Sequence, residues 1–343
     1  MIKHTLKKIL PKRIITKLSF IKLFFSLAKE YKLDMKKYWS YSASIKNDFI
    51  YDKNKLQGRM IVLYHAIEKG LSLPNKDRLF GIEKRENLIE LMKFYDKHFG
   101  KDSLYFYCKE VLNEHEKWIK INYPKAENYL KVDEEFDSDN HTEKFKGGLK
   151  KGIHKQTFIN QKDYKKFVLS RHSIRSFVNK KVSDKKISDA IKLAIHSPSV
   201  CNRQPWKVYK VSKEPMKKQI LDLQRGNQGF GHLASDILVI TSDLNYFQGV
   251  NERNQGYIEG GIFSMSIIYA LHSQNIGTCC LNLSINNNVE KKLKSILPVP
   301  RNEIFIMMIA VGAVPDNIRV AFSERKSLDK IYLDLDENRN PNV

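Results

Sequence analysis

Apolar and basic positions interleave from the start of the chain. In residues 1–30, Ile14, Ile15, Leu18, Ile21, Leu23, Phe24, Phe25 and Leu27 alternate with Lys12, Arg13, Lys17 and Lys22. Wound at 3.6 residues per turn, this predicts a basic, apolar amphipathic helix. Residues 45–130 read as helical. Arg59–Glu68 is strongly apolar, and Gly70 behind it reads as a C-cap. Ile82–Phe99 sets Leu88, Leu91, Met92 and Tyr95 on one face, and Ser103–Asn122 forms a third helix stopped by Pro124. Asp133–Asn140 is acidic and aperiodic. With Gly147, Gly148 and Gly152 it reads as a linker, so a domain boundary is expected near 150–160.

Beyond that boundary strand-like runs alternate with helices. Ser183–His196 is an amphipathic helix with Ser183 as N-cap and Ile187, Ile191, Ala194 and Ile195 facing inward. Trp206–Val211, Ile237–Thr241 and Phe305–Val311 read as strands. Glu259–Gln274 is apolar nearly all round, which predicts a buried central helix. The succession is α+β, without a regular βαβ repeat. Three regions follow: a basic segment 1–40, a helical extension with its linker over 41–155, and a catalytic-type domain over 156–343.

Composition narrows the class. Of 343 residues 42% are hydrophobic and 29% charged, which supports a packed core and excludes wholesale disorder. Four cysteines, two of them adjacent (Cys279 and Cys280), do not make a disulfide framework and point to a reducing, cytoplasmic setting. No apolar run reaches the ~18 residues of a membrane span. The net charge of +22 is uneven: residues 1–40 hold 11 basic and 2 acidic residues, whereas 41–150 are nearly balanced. A basic apolar helix suits the surface of an anionic membrane, so peripheral attachment through residues 1–40 is one expectation; packing on the protein's own body or on a partner subunit is the other. No helix-turn-helix or RNA-binding signature supports a nucleic-acid partner.

Many familiar sites are absent. There is no GxxxxGK[ST], GxSxG or HExxH, the glycines at 226, 229 and 231 lack GxGxxG spacing, and the cysteine spacing fits no zinc site. Two clusters remain. Arg171-His172-Ser173-Ile174-Arg175 sets two guanidiniums four residues apart around an imidazole and a hydroxyl, a set that matches phosphate oxygens. Ser197–Trp206 (SPSVCNRQPW) joins a helix to a strand and carries amides whose donors and acceptors suit the edge of a heterocycle.

Taken together, RHSIRSF at 171–177 and SPSVCNRQPW at 197–206 resemble the opening signature of the FMN-dependent nitroreductase family, which includes reductive dehalogenases of the iodotyrosine type. EGGIFSMSIIYALHSQNIGTCCLN at 259–282 looks like that family's buried helix and Gly-Thr loop, and IAVGAVP at 309–315 resembles its last core strand. Glu324-Arg325-Lys326 is similar to its basic C-terminal element, so the likeness spans roughly 165–333. The resemblance implies a nitroreductase-like mixed sheet flanked by helices, a homodimer, and FMN held between subunits. It places Arg171, Ser173 and Arg325 at the phosphate and ribityl end and His172 by the ribityl chain or ring. Arg175 would lie at the N1–C2 carbonyl edge. Pro198, Ser199, Asn202 and Gln204 would reach the flavin, and the backbone of Thr278, Cys279 and Cys280 would pass near N5. Cys280 stands where several relatives carry Pro. No protein side chain is required as a catalytic acid, base or metal ligand, because the flavin carries the electrons.

The implied reaction is hydride transfer from NAD(P)H through FMN to an electron-poor small molecule by a ping-pong scheme. Alternatives are a dedicated biosynthetic flavoenzyme whose pocket is shaped by the extension, and a non-enzymatic, membrane-peripheral scaffold. Around Tyr64–Asn75 the extension resembles the leading segment of some longer relatives, and His65, Glu68 and Lys69 form a compact polar group there.

Overall fold

The computed structural model describes residues 11–43, 51–73, 78–129, 146–149 and 159–335. The acidic stretch 133–140 and Gly152 lie outside the described residues.

The chain opens with a 30-residue helix, α1 (Lys12–Tyr41). Three helices then pack on one another: α2 (Lys53–Ser72), α3 (Ile82–Phe99) and α4 (Ser103–Asn122). Asp52 caps α2 by accepting the Asn54 and Lys55 N–H groups at 3.0 and 3.1 Å, and Asp102 does the same for α4. These carboxylates satisfy amides that have no partner within the helix and meet the positive end of its dipole. Leu56, Met60, Ile67, Leu88, Met92 and Tyr95 form the core between these helices. Gly70 is not a cap, because α2 continues to Ser72. It is a contact point: a Cβ there would come within 2.1 Å of the Phe80 ring, which is itself held by His115 and Trp118 at centroid distances of 5.0 and 4.6 Å. Gly147 and Gly148, expected in the linker, pack against α4, and the Gly148 N–H donates to Glu68.

The C-terminal half is a four-stranded sheet in the order β1-β2-β4-β3, formed by β1 (Trp206–Val211), β2 (Asp236–Asp243), β3 (Ile276–Asn282) and β4 (Glu303–Ala313). All neighbouring strands are antiparallel, and the parallel part of the sheet is the bridge Ser173–Thr278. Helices α5 (Gln161–Ser170), α6 (Asp184–Ala194), α7 (Met216–Leu223), α8 (Gln255–His272) and α9 (Asn287–Ile296) surround it. β2 is buried along its whole length because both of its faces are covered. Ile237 and Val239 meet α7 and α9 on one side, while Leu238 and Ile240 meet α6 and α8 on the other. Trp206 stacks on Phe263 of α8 at 4.7 Å.

Two local readings are corrected. Ile195, expected to face inward, is 46% exposed, because α6 stops at Ala194 and the next turn points outward. Helix α8 is not buried all round: Tyr257, Ile258 and Ile262 face solvent.

The helical unit docks on the sheet unit through α2. Gly58 lets the helix approach so closely that an added Cβ would lie 3.2 Å from the Tyr246 Cα. Arg59 donates to Gln248 at 2.6 Å beside this contact.

Candidate functional site

The arginine cluster follows α5 directly. Asn160 caps that helix, and the chain leaves it at Arg171 in an extended conformation. It then runs beside β3, where the Ile174 N–H donates to the Thr278 carbonyl at 2.9 Å. Ile174 and Phe177 point into the core, while His172 and Arg175 point outward. Buried positions recur three residues apart, and the outward ones between them present the polar side chains together.

Arg171, His172, Ser173 and Arg175 line a cavity of about 440 Å³ together with Arg325 and Ser323 from the C-terminal segment and Met265 and Tyr269 from α8. Among the described residues no carboxylate lines it. Its volume lies within the ~300–1,000 Å³ typical of small-molecule sites. Nearby, the His272 Nε2 lies 2.8 Å from the Ser170 hydroxyl. Burial lowers the His272 pKa, and the Arg171 and His172 charges push it in the same direction. The surroundings are therefore positive, and Arg175 also lies over the Phe230 ring at 5.9 Å.

The amide loop is built differently. Cys201, Asn202 and Gln204 adopt φ values of 51°, 56° and 49°. Left-handed backbone costs a non-glycine residue about 1–2 kcal/mol, so three such residues need external support. Arg203 supplies it. Its side chain is 1% exposed, with both terminal nitrogens on Glu252 at 2.6 and 2.9 Å. It also donates to the Tyr246 and Val200 carbonyls at 2.7 and 3.1 Å. Glu259 of α8 accepts the Val200 N–H at 2.7 Å, and burial raises its carboxyl pKa. Its second oxygen is buried without a partner among the described residues. Gln204 folds back to donate to the Asn202 carbonyl and side-chain oxygens at 3.1 and 3.2 Å, and the Ser199 hydroxyl accepts the Gln204 N–H at 3.1 Å. Helix α2 packs against the Val200–Asn202 turn, with Tyr64 beside Asn202.

Thr278, Cys279 and Cys280 lie on strand β3, where the sequence led us to expect a loop. Their backbone pairs with β4, and the Thr278 carbonyl holds the arginine segment. The strand alternation buries Cys279 in the core and exposes Cys280. Asn227 is committed to its own turn, donating to the Leu221 carbonyl and to Gln224.

The two clusters do not share a cavity within one chain. Pro198, Ser199, Asn202 and Gln204 are not among the residues lining the arginine cavity. They are joined along α8. Ser197 donates to Ser266 at 2.7 Å, one residue from Met265 of the cavity wall, and the exposed face of the helix links them. Sequence reading missed Arg203, Glu252, Glu259 and Tyr64. Arg203 lay inside the quoted loop but was not singled out, and its partner is 49 residues away.

The model of the nitroreductase family matches residues 168–228. A protein of Archaeoglobus fulgidus named "Putative NADH dehydrogenase/NAD(P)H nitroreductase" is 23% identical over 180 residues, covering 51% of this chain and 92% of its own. Among solved structures, a nitroreductase family protein from Streptococcus pneumoniae has 20% identity and a TM-score of 0.44, and covers 50% of this chain and 99% of that one. An FMN-dependent nitroreductase from Clostridium difficile has 19% identity and a TM-score of 0.43, over 49% of this chain and 97% of that one. The match to the nitroreductase family model therefore falls at the start of the sheet unit, across the arginine cluster, the amide loop and β1.

Proposed function

We propose that the protein is an FMN-dependent oxidoreductase that works as a homodimer, drawing hydride from NAD(P)H and passing it to an electron-poor small molecule. The observation that carries this reading is the convergence of Arg325 on Arg171, His172, Ser173 and Arg175 in one cavity without a carboxylate. That donor set fits the phosphate of a mononucleotide. Guanidiniums bind phosphate oxygens in pairs, and a hydroxyl adds a neutral donor.

Each group then has a task. Arg171, Ser173 and Arg325 hold the anionic tail. His172 lies beside them as a further polar contact. Arg175 supplies a fixed positive charge, which favours the anionic reduced state of a bound flavin and so favours electron uptake. Pro198, Ser199, Asn202 and Gln204 present their loop from the second copy. The exposed strip of α8, with Ile258 and Ile262 on it, lies between the loop and the cavity, and covering it with another chain would bring one copy's loop to the other's cavity. Thr278, Cys279 and Cys280 form a rigid strand edge beside the arginine segment. When bound, FMN supplies two-electron transfer in two half-reactions, which implies ping-pong kinetics.

The absorbance spectrum of the purified protein tests this directly. A yellow protein that bleaches with NADPH or NADH supports the reading. In FMN titrations, Arg171→Ala and Arg325→Ala should each weaken binding roughly 10–100-fold, as expected for a charge-assisted hydrogen bond. A colourless preparation that takes up no FMN in excess would overturn it.

A second reading, a dedicated substrate, is favoured by one contact. Helix α2 packs against the Val200–Asn202 turn with Tyr64 beside Asn202, so the extension borders the proposed flavin loop. In that case the acceptor site is shaped by both units, and a general quinone would be a poorer substrate than the physiological one.

A further inference from the structure

The N-terminal helix is fixed at one end and bare at the other. Its second part is attached to the sheet domain. Glu30 sits at the N-terminus of α9 and accepts the Asn287 N–H at 2.8 Å and its side-chain amide at 2.7 Å. Lys37 pairs with Glu290, and Tyr38 donates to the Gly249 carbonyl at 2.6 Å. These contacts set the direction of the helix relative to the domain.

The first part has a different character. Ile14, Leu18, Phe20, Ile21, Leu23, Phe24, Phe25 and Leu27 are all exposed, the three phenylalanines by 66–70%. On a helical wheel these apolar side chains cover well over half the circumference, interrupted by Arg13 and Lys17 near the start of the helix, and Lys22, Ser26 and Lys29 fall on the remaining strip. Residues 1–29 contain eight basic residues and no acidic one. An exposed apolar surface of this size on an ordered helix marks a contact site.

Charge selects the occupant. A second copy of this helix would bring cations against cations with no carboxylate before Glu30 to offset them. An anionic bilayer surface meets both features: the apolar arc enters the headgroup–acyl boundary, and the lysines extend to lipid phosphates. Among the described residues no helix is long and apolar enough to cross a membrane, so the helix lies along the surface. At 1.5 Å per residue, residues 12–29 form an insertion element about 27 Å long.

We infer that the first part of α1 is an in-plane anchor for anionic membranes, which holds the oxidoreductase domain at the bilayer surface through the Glu30–Asn287 and Lys37–Glu290 contacts. This inference is independent of the flavin reading.

Vesicle flotation of the full-length protein tests it. Phosphatidylcholine vesicles containing a minority of phosphatidylglycerol should carry the protein, and pure phosphatidylcholine vesicles should carry far less. Raising the salt should weaken the association. Phe20→Asp/Phe24→Asp and Lys22→Glu/Lys29→Glu should each lower partitioning by at least about tenfold, since each removes either buried apolar area or several attractive charges. Melting temperature and circular dichroism should stay at parental values, because the substituted side chains are exposed. Failure of the parent protein to float with anionic vesicles would overturn the inference, as would variants that float equally well. So would a smaller sedimenting species for Phe20→Asp/Phe24→Asp without lipid, which would assign this face to a second copy.

Discussion

Replacing Arg203 with Met tests how the amide loop keeps its shape. Methionine fills much of the same volume but cannot donate, so four hydrogen bonds are lost, to Glu252 (two), Tyr246 and Val200. Breaking a buried ion pair by removing one partner costs ~3–5 kcal/mol. The lower end applies here, because the Glu252 side chain is 24% exposed and can recover water, and it keeps the Gln248 N–H as a donor. About 3 kcal/mol corresponds to a fall in Tm of roughly 6–12 °C for a domain of this size. The loop should also relax, since the left-handed conformations of Cys201, Asn202 and Gln204 lose the side chain that enforces them. The expected result is a lower melting temperature by near-UV circular dichroism, with FMN affinity reduced by about tenfold or more in fluorescence titration, from the ~1–2 kcal/mol of reordering the loop on binding. A double-mutant cycle with Glu252→Gln should return a coupling of about 0.5–3 kcal/mol. A variant that melts within a degree of the parent and binds FMN equally well would refute the view that Arg203 shapes the loop.

Two further outcomes follow from the helical unit. Burial, reinforced by Arg85, lowers the His115 pKa to about 4 from an ordinary 6.5, and its Nε2 donates to the Phe80 carbonyl at 3.0 Å. Between these values the unfolded chain binds a proton that the native chain refuses, so this contribution is complete above pH 6.5 and declines as pH falls towards 4, by about 3 kcal/mol in total. Urea unfolding from pH 4.5 to 7.5 should show the decline, and His115→Gln should flatten it; equal slopes would count against the assignment. Tyr64→Phe removes the hydroxyl that meets Asn202, so FMN affinity should fall about fivefold, the equivalent of ~1 kcal/mol, with little change in melting temperature. Unchanged affinity would detach the extension from the flavin loop.

How much of this was legible depends on how local the cause is. Ile82–Phe99, Ser103–Asn122 and Trp206–Val211 match their sequence readings end to end. Their boundaries are written in neighbouring residues: Asp102 as a cap, Gly100 and Pro124 as stops, Pro205 before the strand. The arginine cluster was readable because its donors are nearly contiguous, and Arg325 joined it only through the family resemblance. Arg203 was passed over because a buried arginine looks like a surface arginine until its distant partner is known. Helix α8 misled for a related reason. Its apolar composition says that it is covered, but not by what, and the exposed Ile258 and Ile262 show that the chain itself does not cover all of it. The strand over 276–282 was missed because the family resemblance supplied a Gly-Thr loop at Gly277 and Thr278, whereas pairing with β4 makes these residues part of a strand.

The amide loop explains why the helical extension is more than an appendage. Three supports converge on it from different parts of the chain: Glu259 of α8 holds the Val200 N–H, Glu252 holds Arg203, and Tyr64 of α2 meets Asn202. Each acts on a different residue, so none can stand in for another. The first two belong to the sheet unit and keep the backbone in its left-handed turns. The third belongs to the extension and lies against the turn that carries Asn202, whose side-chain oxygen also accepts from Gln204 at 3.2 Å. An amide restrained in this way loses less freedom when it binds a ligand. Gly58, which brings α2 within van der Waals reach of Tyr246, and Arg203, which grips the Tyr246 carbonyl, act on the two sides of one residue. The helical unit and the loop therefore share Tyr246 as a common contact.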